Sequence, residues 1–346
     1  MCDIKGLLIY ISLLIVLHLG VIKKNYFILA FAILSASLIS SIRGYAGIDT
    51  YLYRAIFENS QTGFEAFAQL TFSEPILYSL IIATKSLGLG FSSFSLIISL
   101  ITGYMYFLIL KKFPNSIYFG LALFPALYID SIFNGMRVGL AYPMLFISIA
   151  LSSTFFLVLA FLTHFTSLIA LPFINKKKII IIGIFAIFIF SFSNSQLIDP
   201  IFQRFLLKSY QYQSIYSQNF FSGIADSLML SLSLICLLRI QGIKGKTYFF
   251  FIPLIIFITI VFQYLFASQF VFFLRLLRLF TVAIFAICAS INFSKIKLDI
   301  YYICLIFGIL YSINFLRQIN STCEYPKSTP GYLPLIENME IKYIND

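Results

Sequence analysis

Two arginines stand three residues apart in an otherwise apolar run. Arg275 and Arg278 interrupt residues 272–280, where every other side chain is Phe or Leu. A spacing of three places both guanidinium groups on one face of a helix. Each arginine would cost about 2.5–3.5 kcal/mol at the centre of a bilayer, so an anion must compensate its charge. A bound diphosphate is one such anion, and pairing with acids from elsewhere, such as Asp226 or Glu74, is the alternative.

A third arginine opens a predicted helix. Arg137 follows Gly135 at the start of an apolar run. The N-terminus of a helix favours anions, so an arginine is unfavourable there by itself. It becomes favourable when the side chain and the free N–H groups of the helix bind one phosphate group together. The alternative is pairing of Arg137 with Asp130.

One of the two histidines has polar neighbours inside an apolar region. His164 lies in the sequence Thr-His-Phe-Thr-Ser at residues 163–167. A histidine at membrane depth is a candidate functional residue. The alternative is a hydrogen bond between helices, which Ser, Thr and His commonly make in membranes. His18 lacks such neighbours, and we interpret it as structural.

A polar segment near the N-terminus supplies further candidates. Within residues 43–53, Gly44 and Gly47 allow a sharp turn, and a carboxylate follows among tyrosines. The candidate groups in and after this turn are Arg43, Asp49, Tyr51, Tyr53 and Glu74. The alternative is an ordinary interfacial turn with aromatic anchors.

The composition requires that these residues be positioned by membrane helices. Hydrophobic residues make up 60% of the chain and charged residues 11%, and the mean hydropathy is +0.97. A soluble domain has about 25% charged residues, so soluble and disordered chains are both excluded. The net charge of +11 comes largely from short lysine clusters between apolar runs, as in cytoplasmic loops, and does not indicate nucleic-acid binding. We predict one all-α, polytopic integral membrane domain over residues 1–346.

Twelve apolar runs are candidates for the 10–12 transmembrane helices. They are residues 4–22, 26–42, 75–87, 91–110, 116–129, 138–151, 155–174, 179–193, 224–238, 248–266, 271–291 and 300–315. The polar segments at about 43–74 and 194–222 carry no lysine cluster and are assigned to the outer face. Twelve full crossings would place Lys111 and Lys112 outside. We therefore predict about ten crossings and two partial or re-entrant elements, 75–87 and 155–174, that open to one outward cavity.

The sequence predicts neither a metal site nor a cofactor. The five cysteines show no Cys-x-x-Cys spacing, and no acidic pair or phosphate-binding glycine loop is present. An arginine surplus facing outward instead favours a membrane-embedded anion as the substrate, such as a lipid diphosphate.

Four motifs, in order, resemble the EpsG-like branch of the Wzy-type O-antigen and exopolysaccharide polymerases. They are Arg43-Gly…Gly47-Ile-Asp49-Thr-Tyr51…Tyr53, Ser73-Glu74-Pro75, Met136-Arg137-Val-Gly-Leu-Ala141 and Thr163-His164-Phe-Thr-Ser167-Leu. The similarity covers about residues 43–172. The chain departs from the family pattern at Val138, where glutamine is usual, and at Phe165-Thr166, which separates His164 from Ser167.

The resemblance implies a metal-independent, inverting glycosyltransferase with a GT-C-like fold in the bacterial inner membrane. It would join undecaprenyl-diphosphate-linked oligosaccharides on the periplasmic side, with a chain-length regulator of the same pathway as a further partner. Arg137, Arg275 and Arg278 would stabilise the leaving diphosphate, and His164 or Asp49 would be the general base. The tyrosines of the first outer segment would stack on sugars, and Arg43 and Glu74 would contact substrate. An O-antigen ligase and a lipid-linked oligosaccharide flippase or ion-coupled carrier are the alternatives.

Overall fold

The computed structural model consists of helices wherever it describes the chain. The described residues are 4–42, 50–60, 75–113, 115–133, 135–164, 167, 224–241, 245–267, 271–291 and 298–322. These residues form thirteen helices and no strand. The all-α prediction is confirmed for this part of the chain.

Nine of the described helices precede residue 165, and four follow residue 223. The first group is α1 (Ile4–Ile22), α2 (Tyr26–Ser41), α3 (Thr50–Asn59), α4 (Pro75–Ser86), α5 (Phe91–Lys112), α6 (Ser116–Ala122), α7 (Phe124–Phe133), α8 (Met136–Ala150) and α9 (Thr154–Thr163). The second group is α10 (Ile224–Ile240), α11 (Gly245–Ala267), α12 (Val271–Ser290) and α13 (Leu298–Thr322). The predicted span 179–193 and the outer segment 194–222 lie outside the described residues.

Helix length and apolar composition together identify few complete crossings among the described side chains. Here α5 is long and apolar enough to cross, and the bent pair α6–α7 would be a second such element. Several other helices contain described apolar segments of 10–17 residues. The composition and these helices agree with a membrane protein, and the count of about ten crossings stays a prediction.

The predicted span 116–129 is broken in the structure. Helices α6 and α7 meet at an angle of 65°. Pro125, in the first turn of α7, has no N–H to donate to the carbonyl group of Leu121, so a continuous helix would lose that bond. Helix α13 passes this point at Gly308, where a Cβ atom would overlap the Leu121 carbonyl oxygen. The bend and the glycine together allow the close contact between α6 and α13.

The lysine pairs at residues 23–24 and 111–112 lie at the same end of the bundle. The first pair follows α1 and the second ends α5. A Cβ atom on Gly120 of α6 would contact both Val21 of α1 and Leu110 of α5, so these two helix ends are neighbours. We call this region the lysine end.

Helices α2 and α5 run in opposite directions. The Oγ atoms of Ser40 and Ser99 are 2.6 Å apart, and the rings of Tyr26 and Phe107 lie 5.9 Å apart. The chain therefore enters α5 at the end of the bundle where it leaves α2. The segment between them, which includes α3 and the 12-residue α4, therefore starts and ends at the same end of the bundle. A partial crossing by residues 75–87 would account for this arrangement and stays a prediction.

The second predicted partial element is also short. Helix α9 has ten residues and ends at Thr163. His164 follows in an extended conformation, with φ of −154° and ψ of 115°. Apart from Ser167, the remainder of the predicted element, residues 165–174, lies outside the described residues.

Candidate functional site

Arg278 of α12 lies between two aspartates from other helices. Its Nε donates a hydrogen bond to Oδ1 of Asp226 over 2.9 Å, and its Nη1 donates to Oδ2 of Asp130 over 3.3 Å. Asp226 lies in the first turn of α10, and Asp130 lies in α7. The exposed fraction of the side chain is 32% for Arg278, 22% for Asp130 and 10% for Asp226. We call these three residues the Arg278 cluster.

The Arg278 cluster supports the alternative that the sequence left open for this arginine. Asp226 is one of the two acids named there, and Asp130 is an additional partner. The charge of Arg278 is thus compensated within the protein and does not itself require a ligand. With both carboxylates ionised the three residues carry one net negative charge. A diphosphate would bind Arg278 through its remaining N–H donors or by exchange with a carboxylate partner.

Two phenols complete the polar surroundings of Arg278. Tyr142 of α8 and Tyr311 of α13 both lie within electrostatic range of the guanidinium group. Tyr142 is only 2% exposed. Polar groups from α7, α8, α10, α12 and α13 therefore converge on one point inside the bundle.

A tight turn between α7 and α8 connects this cluster to Arg137. The N–H group of Gly135 donates to the carbonyl oxygen of Asp130 over 3.1 Å. A Cβ atom on Gly139 would lie 2.9 Å from the carbonyl oxygen of Ser131 and would overlap its side chain. A glycine at position 139 thus lets the first turn of α8 pack directly on the end of α7. Arg137 lies at the N-terminus of α8, as the sequence predicts.

Arg137 contacts Tyr53, a residue of α3. Nε of Arg137 donates to the Tyr53 hydroxyl over 3.1 Å, and the guanidinium carbon lies 5.5 Å from the ring centroid. The backbone N–H of Arg137 also donates to this hydroxyl, over 3.5 Å. Thr50 Oγ1 donates to the carbonyl oxygen of Phe133 over 3.3 Å, which fixes the start of α3 against α7. The tyrosine is therefore placed to orient Arg137.

This position changes the role predicted for Tyr53. The side chain is 1% exposed and packs in a hydrophobic cluster with Phe57 and Met136. Its ring is covered by protein and does not present a face on which a sugar would stack. The structure replaces the stacking expectation for Tyr53 with a contact to Arg137.

His164 lies just after the end of α9 and is 8% exposed. The backbone N–H of His164 donates to the carbonyl oxygen of Ala160 over 2.8 Å. The backbone carbonyl oxygen of His164 accepts from the backbone N–H of Ser167 over 3.0 Å. The hydroxyl of Ser167 is fully buried and has no hydrogen-bond partner among the residues that the structure describes. Buried polar atoms are usually satisfied, so this hydroxyl is a candidate ligand contact.

The structure does not describe the side chains of the other predicted site residues. Arg43, Asp49 and Glu74 lie outside the described residues. Tyr51 and Arg275 belong to α3 and α12, but their side chains are not among those described.

Arg137 lies far from the lysine end. The ring of Phe133, at the end of α7, lies 5.1 Å from that of Tyr10 in α1. Tyr10 precedes Lys23 by about 20 Å along the helix at 1.5 Å per residue. The α7–α8 turn that carries Arg137 is therefore well separated from both lysine pairs.

Sequence reasoning missed that Asp130 binds Arg278. It considered Asp130 only as a partner of Arg137, its near neighbour in sequence. The available signal was the scarcity of acids, since the chain has 13 acidic against 24 basic residues and Asp130 lies between two apolar runs. Within the described residues, no group of three or more His, Cys, Asp or Glu side chains could hold a metal ion.

Comparison with known proteins identifies a family. A family model described as the EpsG family matches residues 26–328. The matched range begins at the first residue of α2 and includes Arg137, His164 and the Arg278 cluster. No curated protein and no solved structure gave a match.

Proposed function

This chain belongs to the EpsG family, and on that premise we propose that it is a membrane-embedded polysaccharide polymerase. Its donor is an oligosaccharide chain linked to undecaprenyl diphosphate, and its acceptor is another lipid-linked repeat unit. We place the reaction at the periplasmic face of the bacterial inner membrane, at the end of the bundle opposite the lysine end. The position of the lysine pairs supports this orientation because cytoplasmic loops are enriched in Lys and Arg.

The observation that carries the proposal is the placement of Arg137. It lies at the N-terminus of α8 and is oriented by a buried tyrosine. A guanidinium group and the N-terminal amide groups of a helix together favour a phosphate group. Arg278 is the second guanidinium that we assign to the diphosphate, after exchange of one of its carboxylate partners. Asp130, which binds Arg278, lies near the end of α7, and its carbonyl oxygen accepts a hydrogen bond from Gly135, just before the helix that carries Arg137.

The reaction requires the protein to stabilise the charge on the leaving diphosphate and to accept a proton from the acceptor hydroxyl. A hydroxyl oxygen of the acceptor sugar attacks the anomeric carbon of the donor, and the bond from that carbon to the diphosphate oxygen breaks. The electron pair leaves with the diphosphate, where fixed positive groups stabilise the new charge. The hydroxyl proton passes to a general base, for which the sequence offers His164 and Asp49. A single displacement inverts the anomeric configuration.

Reconstitution tests the proposed function. The purified full-length protein in proteoliposomes should convert a single lipid-diphosphate-linked repeat unit into a ladder of longer lipid-linked products, without added nucleotide. A chain-length regulator added to the same vesicles should narrow the ladder. Transfer only to a lipid A core acceptor would identify a ligase. Movement of the substrate across the bilayer without a new glycosidic bond would identify a transporter, and either result would refute the polymerase.

A further inference from the structure

We propose that Asp130 is the catalytic base of this reaction and that donor binding releases it from Arg278. The inference rests on the proposed function and assigns to Asp130 the role of general base, for which the sequence alone offered His164 and Asp49. In the structure Asp130 is a partner of Arg278, and in the donor complex it would face the acceptor hydroxyl.

The two carboxylates hold Arg278 unequally. Asp226 binds Nε over 2.9 Å and is 10% exposed, whereas Asp130 binds Nη1 over 3.3 Å and is 22% exposed. The shorter and more buried contact is the more difficult to replace because an abandoned buried carboxylate would be desolvated without a partner. Asp130 is thus the partner that an incoming anion displaces, while Asp226 keeps the guanidinium group in place.

A diphosphate is suited to make this exchange. Arginine has five N–H donors in a planar fork that matches phosphate oxygens, and the two aspartate contacts use different nitrogen atoms. A diphosphate carries more charge than one carboxylate, so it competes well for Nη1. Once displaced, the Asp130 carboxylate no longer accepts the hydrogen bond from Nη1 of Arg278, and in our proposal it accepts the proton of the acceptor hydroxyl instead.

The backbone keeps Asp130 beside the proposed site of reaction. Its carbonyl oxygen accepts from Gly135, and Arg137 begins the next helix two residues later. The Asp130 carboxylate is therefore tied to one phosphate-binding arginine by a hydrogen bond and to the other by a short turn. A general base must lie within hydrogen-bond reach of the proton that it removes.

The proton transfer is balanced by the displacement itself. The acceptor oxygen gives its proton to the Asp130 carboxylate as it forms the bond to the anomeric carbon. The diphosphate leaves with the electron pair of the broken bond and remains bound to the arginines. The ionisable groups that interact with Asp130 include Arg278 of α12, Tyr311 of α13 and Tyr106 of α5. Asp226 of α10 and Tyr142 of α8 lie within electrostatic range of Arg278 and Tyr311.

The test compares two isosteric substitutions in the reconstituted elongation assay. Asp130→Asn should lower kcat at least 100-fold, change the KM for the donor less than threefold and remove the acidic limb of the pH–rate profile. Asp226→Asn should mainly raise the donor KM, about tenfold or more, because Arg278 loses its fixed partner. Ser233→Ala, which removes an α10 hydroxyl that donates to the carbonyl oxygen of Leu230 in the same helix, should behave like the wild type.

Several outcomes would overturn the inference. They are a kcat of Asp130→Asn within threefold of the wild type, an unchanged acidic limb, or an effect identical to that of Asp226→Asn. If Asp130→Asn is not recovered from membranes, Asp130→Glu tests the role of Asp130 instead, because it keeps the charge but moves the carboxylate. It should lose at least tenfold in kcat and keep the acidic limb, whereas a wild-type kcat would refute the role. A wild-type protein that forms no polymer would refute the proposed function instead.

Discussion

The hydroxyl of Tyr53 accepts a hydrogen bond from Nε of Arg137 over 3.1 Å, and the tyrosine is only 1% exposed. A residue of α3 thus fixes the orientation of an arginine at the start of α8. This contact uses one of the five N–H donors of the guanidinium group. The relationship explains why a tyrosine and an arginine far apart in sequence belong to one site.

Replacing Tyr53 distinguishes an orienting role from stacking on a sugar. Tyr53→Phe keeps the ring but removes the acceptor of a charged donor, a change worth about 1.5 kcal/mol or roughly tenfold. We expect the donor KM to rise by about that factor in the elongation assay. Tyr104→Phe, at a tyrosine of α5 that is 60% exposed, is the matched control. Wild-type kinetics for Tyr53→Phe together with lost activity for Tyr53→Leu would instead favour stacking.

We expect the contribution of Arg278 to stability to be separable from its contribution to activity. Arg278→Met leaves the Asp130 and Asp226 carboxylates without their shared cation, so we expect a loss of about 1–3 kcal/mol of stability. The double variant Arg278→Met/Asp226→Asn removes one of these charges and should recover much of the thermal stability without recovering polymerisation. Thermal unfolding in detergent and the elongation assay measure the two effects. Recovery of activity in the double variant would show that Arg278 only compensates Asp226.

The bend between α6 and α7 should depend on Gly308. A Cβ atom there would overlap the carbonyl oxygen of Leu121, which is a backbone atom and cannot move aside cheaply. We expect Gly308→Ala to lower the midpoint of thermal unfolding, by an amount equivalent to about 1–3 kcal/mol or more. Gly90→Ala is the control because a Cβ atom at Gly90 has nothing within 4 Å. Equal stability of the two variants would contradict the close packing of α13 on the bend.

The two ends of α5 should be labelled from opposite sides of the membrane. Lys112 and Gly90 are both exposed and mark the two ends of α5, which is long and apolar enough to cross the membrane by itself. Cys236, Cys288 and Cys304 are buried, so only Cys2 and Cys323 need removal before labelling. A membrane-impermeant thiol reagent added to intact cells should label Gly90→Cys and leave Lys112→Cys unlabelled until lysis. The reverse pattern would invert the proposed orientation.

The fold class followed from composition, but the shapes of individual helices did not. An 11% charged fraction and long apolar runs are sufficient to predict membrane helices. The break after Ala122 escaped prediction because Pro125 lies in an apolar run that looks like one span. The packing of α13 against this break also depends on Gly308, which lies much later in the chain. A hydropathy profile contains no information about a contact between helices that are far apart in sequence.

For the candidate site, the sequence predicted the position of Arg137 on its helix but not the partners of Arg278. Arg137 lies at a helix N-terminus as expected from Gly135 and the apolar run that follows. The partners of Arg278 come from α7 and α10 and are brought together only by tertiary packing. Sequence distance favoured Arg137 as the partner of Asp130, whereas the structure places the Asp130 carboxylate on Arg278.

The central claim is that Arg137 belongs to a binding site for a lipid-linked diphosphate. Binding of undecaprenyl diphosphate to the purified protein in nanodiscs tests it most directly, with Arg137→Ala compared against Arg54→Lys. Arg54 forms an exposed pair with Glu58 on α3 and serves as the control. We predict that Arg137→Ala raises the Kd at least tenfold, while Arg54→Lys and the wild type bind alike. An unchanged Kd for Arg137→Ala, in a protein that still folds into the membrane, would contradict the claim.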